Sequence, residues 1–268
     1  MVEPVLGTTV LHEVADGVST ITLNRPEAAN AILPEMRDAI IELLAAADPD
    51  PAIRAVAIKS NGRHFCSGAD VGSIAGATRQ MRVGDGMRRI MQGAQRLVAA
   101  ILDCPKPVVA VVQGTAAGLG AHLAFASDMV VAADEAAFLE PFLLRGIVVD
   151  AGGTYLLPRL VGMQRAKELM FLAEKLPAAE AKAMGLVNRV VPATELDRAA
   201  GEILGKLVGM PTGALTFTKR LVNASFERDR VSSFLLEATF QEMQSRAGDA
   251  TEGVAAFLEH RPAEFKGQ

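Results

Sequence analysis

The sequence predicts an α/β fold whose last third is helical. Two patterns carry this prediction: up to about residue 135, strand-like apolar runs alternate with helical periodicity, and from about residue 160 the pattern is almost wholly helical. The composition fits a globular protein with a sizeable core, because 50% of its 268 residues are hydrophobic and 22% are charged.

In the first half, predicted strands and helices follow one another closely. Val18–Leu23 alternates like a half-buried strand, and Pro34 suits the first turn of an amphipathic helix that runs to Ala47. Val108–Val112 has no polar residue, which is typical of a strand covered on both faces. The other predicted elements are strands at 55–58 and 128–133, a helix at 87–102, and a mobile loop or broken helix at 71–86.

In the last third, five helices are predicted, and they could form a lid or an oligomerisation arm. Gly185 is suited to end the first of them. The predicted spans are 178–184, 195–208, 211–225, 232–246 and 253–260.

The charge and cysteine content exclude several classes of protein. A net charge of −4 provides no broad basic field for a nucleic acid. Two cysteines make no disulfide framework, and no uncharged apolar stretch is long enough to span a bilayer. The first residues lack the basic and apolar regions of a signal peptide. We therefore expect a cytoplasmic protein with no nucleic-acid or membrane partner.

Two glycine-bearing segments carry the strongest functional signal: Phe65–Asp70 and Gly114–His122. Each follows a strand-like run, and the second opens a helix-like one. Glycines at such junctions free backbone N–H groups to point at a ligand. One N–H from each segment could hold a developing oxyanion, which indicates chemistry on a carbonyl compound such as a thioester.

Together with four other segments, these two make the chain resemble the enoyl-CoA hydratase/isomerase (crotonase) family essentially end to end. The order and spacing of the matches carry this resemblance. The matching segments are Leu23–Pro26, Phe65–Asp70, Lys106–Gly120, Asp150–Thr154, Ala181–Val187 and Glu252–Phe257.

The resemblance implies a spiral of ββα turns in residues 1–195 and a helical trimerisation region in residues 196–268. It implies a homotrimer or a dimer of trimers. The implied ligand is an acyl-CoA thioester, with no metal and no cofactor beyond the CoA of the substrate. The implied oxyanion donors are the N–H groups of Ser67 and Leu119, although the family usually has glycine where this chain has Leu119.

The chain departs from the hydratase members at both catalytic glutamates, which orient a water and move its proton. His122 and Phe142 stand at those positions. Glu140 is two residues away, and on a helix it would face elsewhere. Hydration by two glutamates is therefore not expected.

Asp150 offers another acid/base group. The segment from Gly146 to Val161 looks like the ring-epoxide isomerases within the family, and dienoyl-CoA isomerases carry an aspartate at the equivalent place. A carboxylate amid Val148, Val149 and Phe142 would be desolvated, and its pKa would rise. A single base that moves a proton from one carbon to another suits an isomerase. Asp150 could instead cap a helix.

Several candidates have plainer alternatives. His122 could be a second polar group of the pocket or a hydrogen-bonded helix histidine. Cys66 could suggest a nucleophile, but no cysteine–histidine pairing is visible. Asp70 could brace its loop, and His64 is interpreted as structural. The resemblance also implies substrate or CoA contacts for Arg25, Ala28, Ser67, Gly68, Ala69, Asp70, Leu119, Phe142, Phe257 and Lys266, the last two reaching into a neighbouring subunit.

Three other functions compete with the isomerase. One is a hydratase that uses His122 or Asp150 in place of the glutamates, and another is a catalytically silent acyl-CoA binder. The third is a dinucleotide-dependent dehydrogenase. It is disfavoured because the glycines do not fit the Gly-x-Gly-x-x-Gly pattern after an N-terminal strand.

Overall fold

The computed structural model describes residues 3–6, 8–70, 72 and 82–267. Most of the loop predicted at 71–86 therefore lies outside the described residues. The strands are Glu3–Leu6 (β1), Val10–Ala15 (β2), Val18–Leu23 (β3), Ala55–Ser60 (β4), Val108–Val112 (β5), Thr115–Ala117 (β6), Met129–Ala133 (β7), Ala137–Leu139 (β8), Leu176–Pro177 (β9) and Arg189–Val191 (β10).

The helices fill the gaps between the strands and then dominate the end of the chain. They are Pro34–Ala47 (α1), Asp85–Ile90 (α2), Arg96–Asp103 (α3), Leu119–Ala126 (α4), Gly153–Leu172 (α5), Ala178–Ala183 (α6), Leu196–Val208 (α7), Thr212–Asn223 (α8), Arg230–Gln244 (α9) and Gly248–Leu258 (α10).

Two sheets share the strands, and the chain passes from one to the other. The larger has the order β1-β2-β3-β4-β5-β7-β10, with β1 to β3 antiparallel and the remaining neighbours parallel. The smaller has the order β6-β8-β9. The pairs β5–β6 and β7–β8 each give one strand to each sheet. This repeated step is the predicted spiral of ββα turns.

The strands of the larger sheet match their predicted burial. Every residue of Val108–Val112 is buried, because helices cover the sheet there. The predicted bounds of β3, β5 and α1 are confirmed residue for residue. The helix predicted at 87–102 is instead interrupted by a π-helical turn at Met91–Gln95, where Gly93 leaves helical geometry. Such turns frequently lie at functional sites.

The C-terminal helices make two different kinds of contact. α7 packs its apolar face on β4, β5 and β7 of the larger sheet. α8 to α10 leave large apolar side chains exposed, among them Val222, Phe234, Leu235, Val254 and Phe257. Lys219 of α8 ties this region to the core by donating to Asp128 at 2.7 Å. The homotrimer or dimer of trimers stays a prediction.

Candidate active site

A cavity of about 210 Å³ lies between the loop after β4, the start of α1, the end of α2 with the π-helical turn after it, the N-terminus of α4 and the segment before α5. Its apolar walls include Ile32, Leu33, Ile90 and Ile147. The predicted site residues in its lining are Ser67, Gly68, Ala69, Leu119, Phe142 and Asp150.

The backbone of the loop Phe65–Asp70 corrects one assignment made from the sequence. The N–H of Ser67 donates a hydrogen bond to the carbonyl oxygen of Ala29 at 2.9 Å. This N–H is therefore not available to hold an oxyanion. The acceptor comes from a turn that is distant in sequence, which is why the loop sequence alone did not reveal it.

The N–H of Ala69 is the free donor of this loop. Ile32 donates to the carbonyl of Gly68 at 2.8 Å and accepts from the N–H of Asp70 at 3.0 Å. In such a parallel bridge the residue between, Ala69, directs its own N–H away from Ile32. Among the described residues this N–H has no acceptor. Ala69 also lines the cavity, so its N–H is the candidate donor that this loop offers to a ligand.

The second donor is the N–H of Leu119, the first residue of α4. The first N–H groups of a helix have no acceptor within the helix, so the N–H of Leu119 is free to bind a ligand. Gly120 lets the helix lie against the loop: a Cβ built there would stand 2.2 Å from the carbonyl oxygen of Cys66. A Cβ built on Gly68 would lie 3.7 Å from the Leu119 nitrogen, so the two donor segments are adjacent.

His122 lies behind the cavity wall and forms a buried pair. Its Nε2 is 3.0 and 3.1 Å from the two carboxylate oxygens of Glu140. The side chains of His122 and Glu140 are 0% and 4% exposed, and Nδ1 of His122 has no partner among the described residues. A ligand in the cavity therefore does not touch His122. As expected, Glu140 faces away from the cavity and is not in its lining, but the reason differs, because Glu140 follows strand β8 and is not on a helix.

The ring of His122 is held between Phe142 and Gly153. It stacks on Phe142 with the planes 9° apart and the centroids 5.6 Å apart. A Cβ at Gly153 would stand 2.5 Å from Nε2 of His122, so only glycine fits there. Phe142 itself faces the cavity, so the pair supports the cavity wall from behind.

Asp150 is the only carboxylate among the described residues of the lining. It is half-buried, and burial raises the pKa of its carboxyl, while neighbouring His122 and Arg89 oppose that rise. The alternative of a helix cap is wrong: the N-cap of α5 is Gly152, and no side chain caps that helix. Val149 is buried as predicted, but Val148 is exposed and does not help to desolvate the carboxylate.

Arg25 and Asp70 form an ion pair at 2.7 Å outside the cavity lining. Arg25 also donates to the carbonyl of Ala31, so the pair braces the two chain segments that flank the cavity. Buried Asn30 completes this brace, because its amide donates to the carbonyls of Asn61 and His64.

The remaining predicted contacts lie elsewhere in the chain. Ala28 ends the short 3-10 turn before α1, outside the lining. Phe257 is 79% exposed on α10, and Lys266 uses its backbone N–H to bond Asp249. The roles predicted for these residues in CoA binding stay predictions.

Cys66 is excluded as a nucleophile. Its side chain is fully buried, and burial raises the pKa of the thiol to about 12. The thiol therefore stays protonated, and a protonated thiol is a poor nucleophile. His64 is structural as interpreted, since its Nδ1 accepts from the N–H of Thr115.

Sequence reasoning missed four features of the site: the free N–H of Ala69, the partner of His122, the brace at Asn30, and Arg89 in the lining. A signal existed for Glu140, because a single carboxylate inside the apolar run 136–142 requires a partner when it is buried. No comparable signal marks the other three.

Comparison with known proteins identifies the family of this chain. The family model described as "Enoyl-CoA hydratase/isomerase" matches residues 13–268. The chain belongs to the enoyl-CoA hydratase/isomerase family, and its fold is the crotonase fold. Within the part of the chain described, no helix is long and apolar enough to cross a membrane.

Individual relatives carry both reaction names. The chain is 38% identical over 260 residues to a protein of Rhodobacter capsulatus named "Probable enoyl-CoA hydratase", covering 97% of this chain and 98% of that protein. It is 35% identical over 261 residues to the 1,2-epoxyphenylacetyl-CoA isomerase of Escherichia coli, with 97% and 98% coverage. A crystal structure of an enoyl-CoA hydratase/isomerase from Cupriavidus metallidurans superposes with a TM-score of 0.91 at 34% identity, covering 97% and 96% of the two chains.

Proposed function

We propose that this protein is an isomerase of acyl-CoA thioesters in which Asp150 moves a proton while the N–H groups of Ala69 and Leu119 hold the enolate oxygen. The observation that carries the proposal is one cavity that combines two free backbone donors with a single carboxylate. The family membership supports the ligand class.

The two donors suit a thioester enolate. Removing a proton next to the thioester carbonyl places negative charge on its oxygen. Donors that are already fixed stabilise that charge without reorganising, and losing one typically costs about 10²–10³-fold in rate. Both donors are fixed here, Leu119 by the helix start and Ala69 by the bridge to Ile32.

A single carboxylate suits isomerisation. Asp150 would take a proton from one carbon of the acyl group and return it to another. This sequence is redox-neutral and uses no fixed water. The raised pKa of Asp150 brings the carboxyl toward the working pH, where one group can both accept and donate a proton.

Hydration is the second candidate, and the name of the Rhodobacter relative favours it. Among the described residues, the lining holds one carboxylate and not the pair that would orient a water. Glu140 has both oxygens on His122, and Phe142 occupies the other family position. Hydration would have to rely on Asp150 alone.

The test compares 3-enoyl-CoA and 2-enoyl-CoA substrates in water enriched in ¹⁸O. We expect double-bond migration without incorporation of the label. Asp150→Asn should lower turnover about 10²–10⁴-fold with little change in thioester affinity. Asp16→Asn, an exposed aspartate in the turn between β2 and β3, is the matched control and should behave like wild type.

Two outcomes contradict the proposal. Rapid incorporation of ¹⁸O into a 3-hydroxyacyl product would establish hydration instead. Binding of acyl-CoA without turnover of 2-enoyl, 3-enoyl or epoxide thioesters would establish the silent binder.

A further inference from the structure

The cavity carries more positive charge than a simple fatty acyl group requires. Its lining contains Arg37, Arg89 and Arg145, against the single carboxylate Asp150 among the described lining residues. Arg37 is neutralised by Asp38 at 2.9 Å. A guanidinium group beside an apolar ligand loses its hydrating water, and this loss is unfavourable unless a hydrogen-bond acceptor of the ligand or protein replaces the water.

Arg89 is the arginine of the lining that has a buried nitrogen without an acceptor among the described residues. Its Nη1 is buried and has no hydrogen-bond partner among the described residues. The preceding residue on α2, Arg88, has a different environment: it is 61% exposed and pairs with Asp85 at 2.6 Å. The two consecutive arginines therefore differ: Arg88 faces solvent and has an acidic partner, whereas Arg89 lines the cavity and has none among the described residues.

Arg89 lies near Asp150. It shares the lining with Ala69, Leu119 and Asp150, and its charge acts on the Asp150 carboxyl. In the proposed function Asp150 takes a proton from the acyl group, so the acyl carbons lie next to Asp150. In that orientation the guanidinium of Arg89 is on the acyl side of the thioester.

We propose that the natural substrate carries a carboxylate on its acyl group, bound by the guanidinium of Arg89. The substrate class is the CoA monothioester of a dicarboxylic acid. The proposal rests on the proposed function for the orientation of the thioester. Ile90 and Phe142 provide the apolar surface for the methylene groups between thioester and carboxylate. Exposed Arg145 adds attraction at the cavity mouth.

The test measures affinity, which does not depend on the reaction catalysed. The wild-type protein is titrated by calorimetry with saturated monothioesters of dicarboxylic acids of about four to eight carbons. Each is compared with its methyl ester and with the monocarboxylic thioester of equal chain length. At one chain length or more, we expect the free carboxylate to bind about 10–100-fold more tightly than both neutral forms, the range for a hydrogen bond to a charged group.

Variants identify the residue responsible. Arg89→Gln should remove the preference for the carboxylate and leave the affinity for the neutral thioesters within about threefold of wild type. Arg89→Lys should retain part of the preference because it keeps the charge. Arg88→Gln is the matched control one residue away and should keep the full preference.

The outcomes separate this proposal from the proposed function. If wild type does not prefer the carboxylate at any chain length, the proposal is overturned, whatever reaction the enzyme performs. It is also overturned if Arg89→Gln weakens charged and neutral thioesters alike, or if Arg88→Gln has the same effect. A clear preference together with ¹⁸O incorporation would retain the substrate class and remove only the isomerase.

Discussion

The buried pair of His122 and Glu140 permits a quantitative prediction about stability. Replacing Glu140 with Met leaves the His122 ring without any hydrogen bond, because Nδ1 already has no described partner. Water cannot substitute, since the histidine side chain is 0% exposed. Breaking a buried pair by removing one partner typically costs about 3–5 kcal/mol in the free energy of unfolding. That is a large share of the total of a typical domain, about 5–15 kcal/mol.

A second substitution checks that the cost comes from the orphaned ring. The double variant His122→Leu/Glu140→Met removes both polar groups and fills the space with apolar atoms. Exchanging a whole buried pair for apolar residues is often close to neutral. We therefore expect the double variant to recover at least about 2 kcal/mol of the loss in Glu140→Met.

The assay is equilibrium unfolding in urea at one fixed protomer concentration, since assembly shifts the apparent stability. Glu242→Met is the matched control. Glu242 is 64% exposed and pairs with Arg246 on α9, so its loss should change the free energy of unfolding by no more than about 0.5 kcal/mol. The reasoning is refuted if Glu140→Met costs less than about 1 kcal/mol, or if the double variant is no more stable than the single one.

Four further predictions concern pH, packing and the C-terminal region. Because the pKa of Asp150 is raised, kcat/KM should fall as pH drops through that raised pKa, and a profile that stays flat into the ordinary aspartate range would contradict this. The raised pKa also means that the stability contributed by protonated Asp150 is lost as pH rises through it. Asp150→Asn should therefore unfold at higher urea than wild type at neutral pH, with the difference shrinking in acid. Gly120→Ala should cost about 1–3 kcal/mol and about 10²-fold in turnover, because its Cβ meets the Cys66 carbonyl and displaces the helix start; wild-type values for both would contradict this. Lys219→Met should cost about 1–3 kcal/mol in urea unfolding, because the partly exposed carboxylate of Asp128 loses its cation and keeps the N–H of Val108, and a loss below about 0.5 kcal/mol would contradict this.

Local sequence was sufficient for the elements whose periodicity is strong. β3 alternates and β5 is wholly apolar, so their bounds follow from which faces are covered. The helical run from 85 to 103 shows the limit. Periodicity predicts one helix there, but Gly93 opens a π-helical turn whose backbone borders the cavity.

The site was predictable in its residue types but not in its hydrogen bonds. The glycine pattern indicates that backbone N–H groups near Ser67 face a ligand. Which N–H is free depends on the carbonyl of Ala29, a segment brought in by the fold. The pairing of Glu140 with His122 was not predicted for a related reason: the direction of Glu140 follows from a strand that pairs with β6, and strand pairing is not local information.

The resemblance implies a glutamate at the position of His122 in the hydratases of the family, and the surroundings of His122 explain how the site accommodates the histidine. Glu140 accepts a hydrogen bond from Nε2 of His122. Gly153, three residues after Asp150, leaves room for the His122 ring. A glutamate introduced at 122 alone would lie against Glu140 in a place without water, where two carboxylates cannot both ionise. The histidine, Glu140 and Gly153 therefore depend on one another as a set. Because Phe142 stacks on the ring and Asp150 precedes Gly153, this set fixes both the cavity wall and the start of the helix that follows Asp150. We therefore propose His122 as a positioning residue beside Asp150, the proposed proton-transfer group.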